Sequence, residues 1–123
     1  GHGLSAAEDE AVVKLLVERQ VPLEMCPISN FQTGCIDELQ NHPLTSMDRA
    51  GVCVTLNADD PTIHGSSLNH DYDVAVSRWG YTLQDLLRLE KNSVAACFMT
   101  AEERDELLGR VEAGYAESMN QGL

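Results

Sequence analysis

The sequence is poor in basic residues and has no long apolar run. Only 8 of its 123 residues are Lys or Arg, against 20 Asp and Glu, which gives a net charge of −12. This balance argues against nucleic acid as a partner, because phosphate binding needs a basic surface. No apolar run approaches the roughly 20 residues that a membrane span requires, so we expect no membrane partner either.

The four cysteines include no Cys-x-x-Cys pair of the kind found in metal and redox sites. Cys53 and Cys97 lie in apolar stretches, where a reduced thiol packs as a small hydrophobic group. We therefore expect four reduced thiols and a cytoplasmic protein, with a Cys26–Cys35 disulfide as the alternative in an exported homologue. The chain also begins without an initiator Met or a targeting signal, and we expect its true N-terminus to lie upstream.

Length and composition predict one soluble globular domain, because 123 residues are too few for two domains of ordinary size. Three Ser/Thr-x-x-Glu/Asp patterns are typical of helix starts, and they stand at Ser5, Thr82 and Thr100. Two further helices are predicted over residues 43–51 and 68–79. Residues 120–123 are expected to form a frayed tail.

Two short segments, 21–25 and 52–57, predict strands, and the second is rich in β-branched residues. The alternation of helices with these strands is typical of an α/β protein with a parallel sheet covered on both faces. Polar residues follow both strands: Ser29 and Asn30 follow the first, and the adjacent carboxylates of Asp59 and Asp60 follow the second. Ser29 and Asn30 are assigned to structural support of this edge.

The Gly1-His2-Gly3 segment stands where a preceding strand would end. In a (β/α)8 barrel the C-terminal ends of the strands face one mouth, which carries the active site. We therefore expect His2 and the carboxylates of Asp59 and Asp60 to share that mouth. A histidine beside a carboxylate in such a place suggests a metal-activated water.

Six motifs follow one another in the order GHG, CPISNFQTG, HPL, LNADDP, KNSVAACF and TAEERDELL. Together they resemble the adenosine deaminase family, a branch of the metal-dependent amidohydrolase barrels. The resemblance implies that residues 1–123 are the C-terminal part of a (β/α)8 barrel, from the end of the sixth strand to the C-terminal helices. It also implies a hydrolase with Zn²⁺ as cofactor, which deaminates adenosine, a purine nucleoside, to inosine and ammonia.

The resemblance gives roles to three residues. It implies that His2 orients the zinc-bound water, that Asp59 ligates zinc and accepts a hydrogen bond from the same water, and that Asp60 bonds N7 of the purine. His2 and Asp59 are thus the predicted catalytic residues, Asp59 the predicted metal ligand, and Asp60 the predicted substrate-binding residue. Taken alone, the Asp-Asp-Pro segment would instead indicate an Asx turn that closes a strand.

The family's HxH and HAGE motifs, which hold the other zinc ligands and the proton-shuttling Glu, have no counterpart here. His42 is interpreted as a residue that precedes a helix, and His64 and His70 as loop or surface positions. We therefore expect the chain to need the missing N-terminal part of the same barrel as its partner, and to be inactive alone. The alternatives are an adenine deaminase, a deaminase of a modified adenosine such as aminodeoxyfutalosine, and a non-catalytic structural fragment.

Overall fold

The computed structural model describes residues 1–121, which fold into helices around a two-stranded sheet. Short 3₁₀ helices cover Leu4–Glu8 and Leu39–Asn41. The remaining elements are α1 (Glu10–Arg19), β1 (Leu23–Met25), α2 (Pro27–Gln32), α3 (Leu44–Arg49), β2 (Val54–Leu56), α4 (Pro61–His64), α5 (Leu68–Trp79), α6 (Leu83–Ala96) and α7 (Ala101–Asn120).

The strands β1 and β2 pair in parallel, with Leu23 opposite Val54 and Met25 opposite Leu56. This confirms the predicted parallel arrangement, and the crossover between the strands contains α2 and α3. Each strand is shorter than the predicted segment, because pairing is limited to three residues. The C-terminal ends of both strands therefore open on the same edge of the sheet.

The strand β2 is buried on both faces, as expected for a parallel sheet covered by helices. The core is built from apolar side chains of both strands and of α3, α5 and α6, including Met25, Leu44, Val54, Ala75 and Leu89. The helix α6 packs against β2, and its Asn92 side chain donates to the Val54 carbonyl oxygen at 2.8 Å. This packing fixes the position of β2 and of the loop that follows it.

Two of the three predicted helix starts are confirmed. Thr82 and Thr100 each form a capping box, with Asp85 and Glu103 respectively. The third, at Ser5, is wrong: residues 4–8 form a 3₁₀ helix without a side-chain cap. Leu4 packs against the core in that turn, and α1 begins only after Asp9, whose carboxylate accepts from two N–H groups of α1.

The helix α2 lies directly after β1, where only polar residues after a strand had been predicted. Pro27 occupies its first turn, and the buried Asp71 of α5 accepts from the Ile28 N–H at 3.1 Å. Burial raises the pKa of the Asp71 carboxyl group. This anchor sets the position of α2, which carries Ser29 and Asn30.

The predicted helix over 68–79 is confirmed, and the helix predicted over 43–51 is shorter, at 44–49. The predicted frayed tail begins with Asn120, which is the last residue of α7, whereas residues 122–123 lie outside the described residues. All four cysteines are free, so no Cys26–Cys35 disulfide forms within residues 1–121. In the same range, no helix has both the length and the apolar character needed to cross a membrane.

Candidate active site

The site is organised around the Asp59 carboxylate, three residues after β2. Asp59 has φ 58°, a left-handed conformation that is uncommon for residues other than glycine and better tolerated by Asp and Asn. Its Oδ2 accepts a hydrogen bond from the Ser29 hydroxyl at 2.6 Å. Ser29 comes from α2, after the neighbouring strand, so the parallel pairing brings the two loops together as predicted.

Two imidazoles lie beside the same carboxylate oxygen. The Nε2 atom of His2 is 3.9 Å from Asp59 Oδ2, and the Nε2 atom of His64 is 3.6 Å from it. The Ser29 hydrogen bond, followed by the electrostatic influence of His2 and His64, holds the pKa of Asp59 below its usual value. Asp59 is thus an ionised carboxylate at neutral pH, with one hydroxyl donor and two imidazole rings beside its Oδ2.

His2 is held at this edge through its backbone and its ring. The His2 N–H donates to the Glu24 carbonyl oxygen of β1 at 3.0 Å, and the residue has a positive φ of 38°. On the ring, Nδ1 accepts from the Asn30 side-chain amide at 3.0 Å. In the neutral form the ring proton then lies on Nε2, the nitrogen that faces Asp59.

The Asp60 carboxylate points away from Asp59. Its Oδ1 accepts from the Thr62 and Ile63 N–H groups at 3.0 and 3.1 Å, so Asp60 is the N-cap of α4. The Asx turn indicated by the Asp-Asp-Pro segment is therefore present. Both capping bonds use Oδ1 alone. The local structure thus accounts for one oxygen of Asp60, and the predicted contact with the purine would fall to Oδ2.

The interpretation of His64 as a loop or surface position is wrong. His64 is the last residue of α4, its side chain is only 10% exposed, and its Nδ1 lies 3.0 Å from Gln32 Oε1. The signal available in the sequence was its distance of four residues from Asp60, one helical turn after the cap. His70, in contrast, is exposed as predicted.

A cleft of about 630 Å³ opens over His2, Ser29, Asn30 and Asp59. A second, of about 390 Å³, borders the other side of His2 and Asp59 and reaches Asn57. Both volumes lie within the range of about 300–1,000 Å³ that is usual for small-molecule sites. His2 and Asp59 therefore stand between two openings large enough for a nucleoside.

The donor chemistry of Asp59 suits zinc, which takes carboxylate oxygen and imidazole nitrogen as ligands. Ser29, His2 and His64 all contact Oδ2, and the side chain is 40% exposed. However, residues 1–121 contain no cluster of three or more His, Cys, Asp or Glu side chains arranged to hold a metal ion. The described residues thus fit the contribution of one zinc ligand, not a complete zinc site.

Comparison with known proteins gives consistent matches along the chain. The model of the family described as Adenosine deaminase matches residues 1–114. The chain is 40% identical to an aminodeoxyfutalosine deaminase of Streptomyces coelicolor, covering 91% of this chain and 29% of the relative. It is 34% identical to an adenosine deaminase of Haemophilus ducreyi, covering 95% of this chain and 34% of the relative. The chain thus spans about a third of the length of these relatives.

Solved structures show the same likeness in three dimensions. The crystal structure of an adenine deaminase from Arthrobacter aurescens superposes with a TM-score of 0.88 at 33% identity, covering 91% of this chain and 34% of that one. An amidohydrolase from Burkholderia ambifaria, crystallised with bound Zn, gives a TM-score of 0.86 at 18% identity, covering 98% and 34%. At 18% identity, the second match is evidence for the fold alone.

Proposed function

Since this chain belongs to the adenosine deaminase family, we propose that it carries one side of the active site of a zinc-dependent hydrolytic deaminase. Its fold is the C-terminal part of the (β/α)8 barrel of the amidohydrolases. In this proposal residues 1–123 run from the end of the sixth strand to the C-terminal helices. The substrate is an aminopurine nucleoside, adenosine first, and the products are inosine and ammonia.

The observation that carries the proposal is the set of side chains around Asp59 Oδ2. Ser29 Oγ lies 2.6 Å from that oxygen, and the Nε2 atoms of His2 and His64 lie 3.9 and 3.6 Å from it. A carboxylate held ionised at the C-terminal edge of parallel strands is suited to bind a metal ion and to accept a hydrogen bond. Asp59 is therefore the proposed zinc ligand, and zinc, when bound, would supply the Lewis acidity that makes water a nucleophile at neutral pH.

His2 and Asp59 have complementary parts in this proposal. With Nδ1 occupied by the Asn30 amide, His2 presents the Nε2–H group toward the space beside Asp59. That N–H donates a hydrogen bond to the oxygen of the attacking water. The Asp59 carboxylate accepts a hydrogen bond from the same water. The two residues together fix the direction from which the water approaches C6 of the purine.

The proposed contact between Asp60 and N7 of the purine needs a proton on one of the two atoms, because a carboxylate and an unprotonated N7 are both acceptors. Asp60 Oδ1 is already occupied by two N–H groups of α4. The proposal therefore places the contact on Oδ2. A site that bonds N7 should discriminate against a 7-deaza purine, which lacks that atom.

The zinc assignment is tested by Asp59→Asn in the native polypeptide that contains residues 1–123. Asn tolerates the left-handed backbone at this position and can still accept from Ser29, but it lacks the charge. We expect zinc to be lost on dialysis, as measured by metal analysis. The control is Asp73→Asn, an exposed position on α5. Retention of stoichiometric zinc in the Asp59 variant would contradict the assignment.

His2→Gln should behave differently, because an orienting group is not needed to retain the ion. We expect zinc to stay bound and kcat to fall roughly 10²-fold or more, as when one donor to a transition state is removed. Unchanged turnover in this variant would remove His2 from the chemistry.

The substrate assignment is tested by kcat/KM for adenosine and 7-deazaadenosine in the native protein and in Asp60→Ala. We expect the preference for adenosine to shrink in the variant, and an unchanged ratio would remove Asp60 from the purine site. A parallel comparison of adenosine, adenine and aminodeoxyfutalosine addresses the alternative functions. These alternatives are favoured by the 40% identity to an aminodeoxyfutalosine deaminase and by the match to an adenine deaminase.

We also propose that residues 1–123 do not deaminate adenosine by themselves. The chain spans about a third of its relatives, and its described residues fit only one zinc ligand. The test is to express residues 1–123 alone, assay adenosine loss with zinc added, and repeat the assay with the N-terminal two-thirds of a homologous deaminase supplied in trans. Activity of residues 1–123 alone would contradict the proposal.

A further inference from the structure

A chain of hydrogen bonds, buried except at its last link, leads from the start of α3 to His2. The Leu44 N–H donates to His42 Nδ1 at 3.1 Å. His42 Nε2 lies 3.1 Å from Asn30 Oδ1, and the Asn30 side-chain nitrogen lies 3.0 Å from His2 Nδ1. Three side chains distant in the sequence, at positions 2, 30 and 42, are thus joined in one line.

The two inner members of this chain are shielded from water. His42 is 2% exposed and Asn30 is 3% exposed, and the His42 ring stacks on Trp79 with a centroid separation of 5.8 Å. Burial lowers the pKa of His42 to about 4, so His42 is neutral at physiological pH. A neutral imidazole has one donor nitrogen and one acceptor nitrogen, which gives the chain a direction.

The direction is set by the backbone. A main-chain N–H is always a donor, so His42 Nδ1 must accept from Leu44 and the His42 proton must lie on Nε2. Nε2–H then requires an acceptor, which fixes the Asn30 amide with Oδ1 toward His42 and its NH₂ group toward His2. The NH₂ group in turn requires an acceptor on His2, which leaves the His2 proton on Nε2. Reversing any link would place two donors or two acceptors face to face inside the protein.

We infer that His42 is a positioning residue, which acts through Asn30 to fix the tautomer and ring orientation of His2 so that Nε2–H faces Asp59. His42 itself touches none of the atoms around Asp59 Oδ2 that the site uses. The part of this inference that concerns turnover rests on the proposed function of His2. The part that concerns the His2 tautomer rests on the geometry alone.

The test uses the native polypeptide that contains residues 1–123 and two variants of one position. His42→Phe keeps a flat ring against Trp79 but removes the donor to Asn30, whereas His42→Gln retains a donor at the place of Nε2. The His2 tautomer is observed from ¹⁵N chemical shifts of its ring, assigned by the signals missing in His2→Gln. Trp79→Phe, which keeps a ring beside His42, is the matched control.

In His42→Phe we expect the Asn30 amide to lose its fixed orientation and the His2 ring to become a mixture of tautomers. We expect kcat to fall by about 10–100-fold with KM little changed, which is the usual effect of removing a partner that orients a group of an active site. His42→Gln and Trp79→Phe should retain the native tautomer and most of kcat. A purely structural role of His42 would instead leave the tautomer unchanged.

A second variant keeps the test decisive if His42→Phe does not fold. Asn30→Asp has nearly the same shape but replaces the donor toward His2 by an acceptor, so the His2 proton should move to Nδ1 and kcat should fall. An unchanged His2 tautomer in either variant would overturn the inference. A changed tautomer with unchanged kcat would support the positioning of His2 by His42 and would overturn the catalytic role of His2 in the proposed function.

Discussion

Acid should destabilise this protein through the buried ring of His42. The side chain is 2% exposed, and burial lowers its pKa from the ordinary 6.5 to about 4. In the unfolded chain the same ring takes up a proton near pH 6.5. Between these two pH values the unfolded state binds more protons than the folded state, so the free energy of unfolding decreases as the pH is lowered.

The size of the effect follows from the two pKa values. They differ by about 2.5, and at 1.36 kcal/mol for each pKa unit the full penalty is about 3 kcal/mol, reached below pH 4. At pH 5 the ring in the unfolded state is almost fully protonated and the folded one is mostly neutral, so about 2 kcal/mol is already lost. Above pH 7.5 the contribution vanishes, because both states are neutral.

The assay is urea unfolding of the native polypeptide that contains residues 1–123, compared with His42→Gln from pH 7.5 to pH 5. Gln does not titrate but retains the donor to Asn30. The raised pKa of the Asp71 carboxyl group acts in the opposite direction, but Asp71 is present in both proteins and drops out of the difference. We expect the native protein to lose about 2 kcal/mol relative to the variant over this range. If the two proteins differ by the same free energy of unfolding at pH 7.5 and at pH 5, the reasoning is refuted.

Two further predictions concern the fold. Leu89→Ala should lower the free energy of unfolding by about 2–5 kcal/mol, because Leu89 is fully buried in the core. Lys91→Ala breaks only a surface ion pair and should lower it by less than about 1 kcal/mol. Urea denaturation measures both changes. Gly3→Ala should destabilise the protein more than Gly34→Ala, although both glycines have positive φ. A Cβ at Gly3 would lie 2.7 Å from the Leu23 side chain, whereas the space at Gly34 is open. Equal losses in the free energy of unfolding would contradict this.

The features that could be predicted from the sequence depend on local patterns or on strand order. The capping boxes of Thr82 and Thr100 close within three residues, so their motifs contain all the partners. The meeting of Ser29 with Asp59 follows from parallel strands, because loops after neighbouring parallel strands lie at one edge of the sheet. The prediction at Ser5 fails although it also rests on a local pattern. Asp9, four residues later, offers an equally local cap, and the packing of the first turn decides between the two.

The position of His42 could not be predicted in this way. His42 reaches Asn30 across 12 residues and Trp79 across 37, and neither contact leaves a periodic trace in the sequence. A histidine before a proline has the same local pattern whether it is exposed or buried. His64 differs from His42, because the Asp60 N-cap and the Gly65 C-cap mark both ends of α4 in the sequence and place His64 in its last turn. The contacts of His42 are evident only in the tertiary structure, whereas the contact of His64 with Asp59 is local.

The pair Asp59-Asp60 shows how the backbone separates two neighbouring charges. Asp59 has φ 58° and Asp60 has φ −112°, so successive side chains diverge toward different partners. Asp59 accepts from the Ser29 hydroxyl, and Asp60 accepts from two N–H groups at the start of α4. Glycine would suit the left-handed backbone at position 59 better than any other residue, but it could accept nothing from Ser29 and bind no metal ion. The presence of Asp at a position whose backbone favours glycine therefore argues that the carboxylate, which binds Ser29, is itself required.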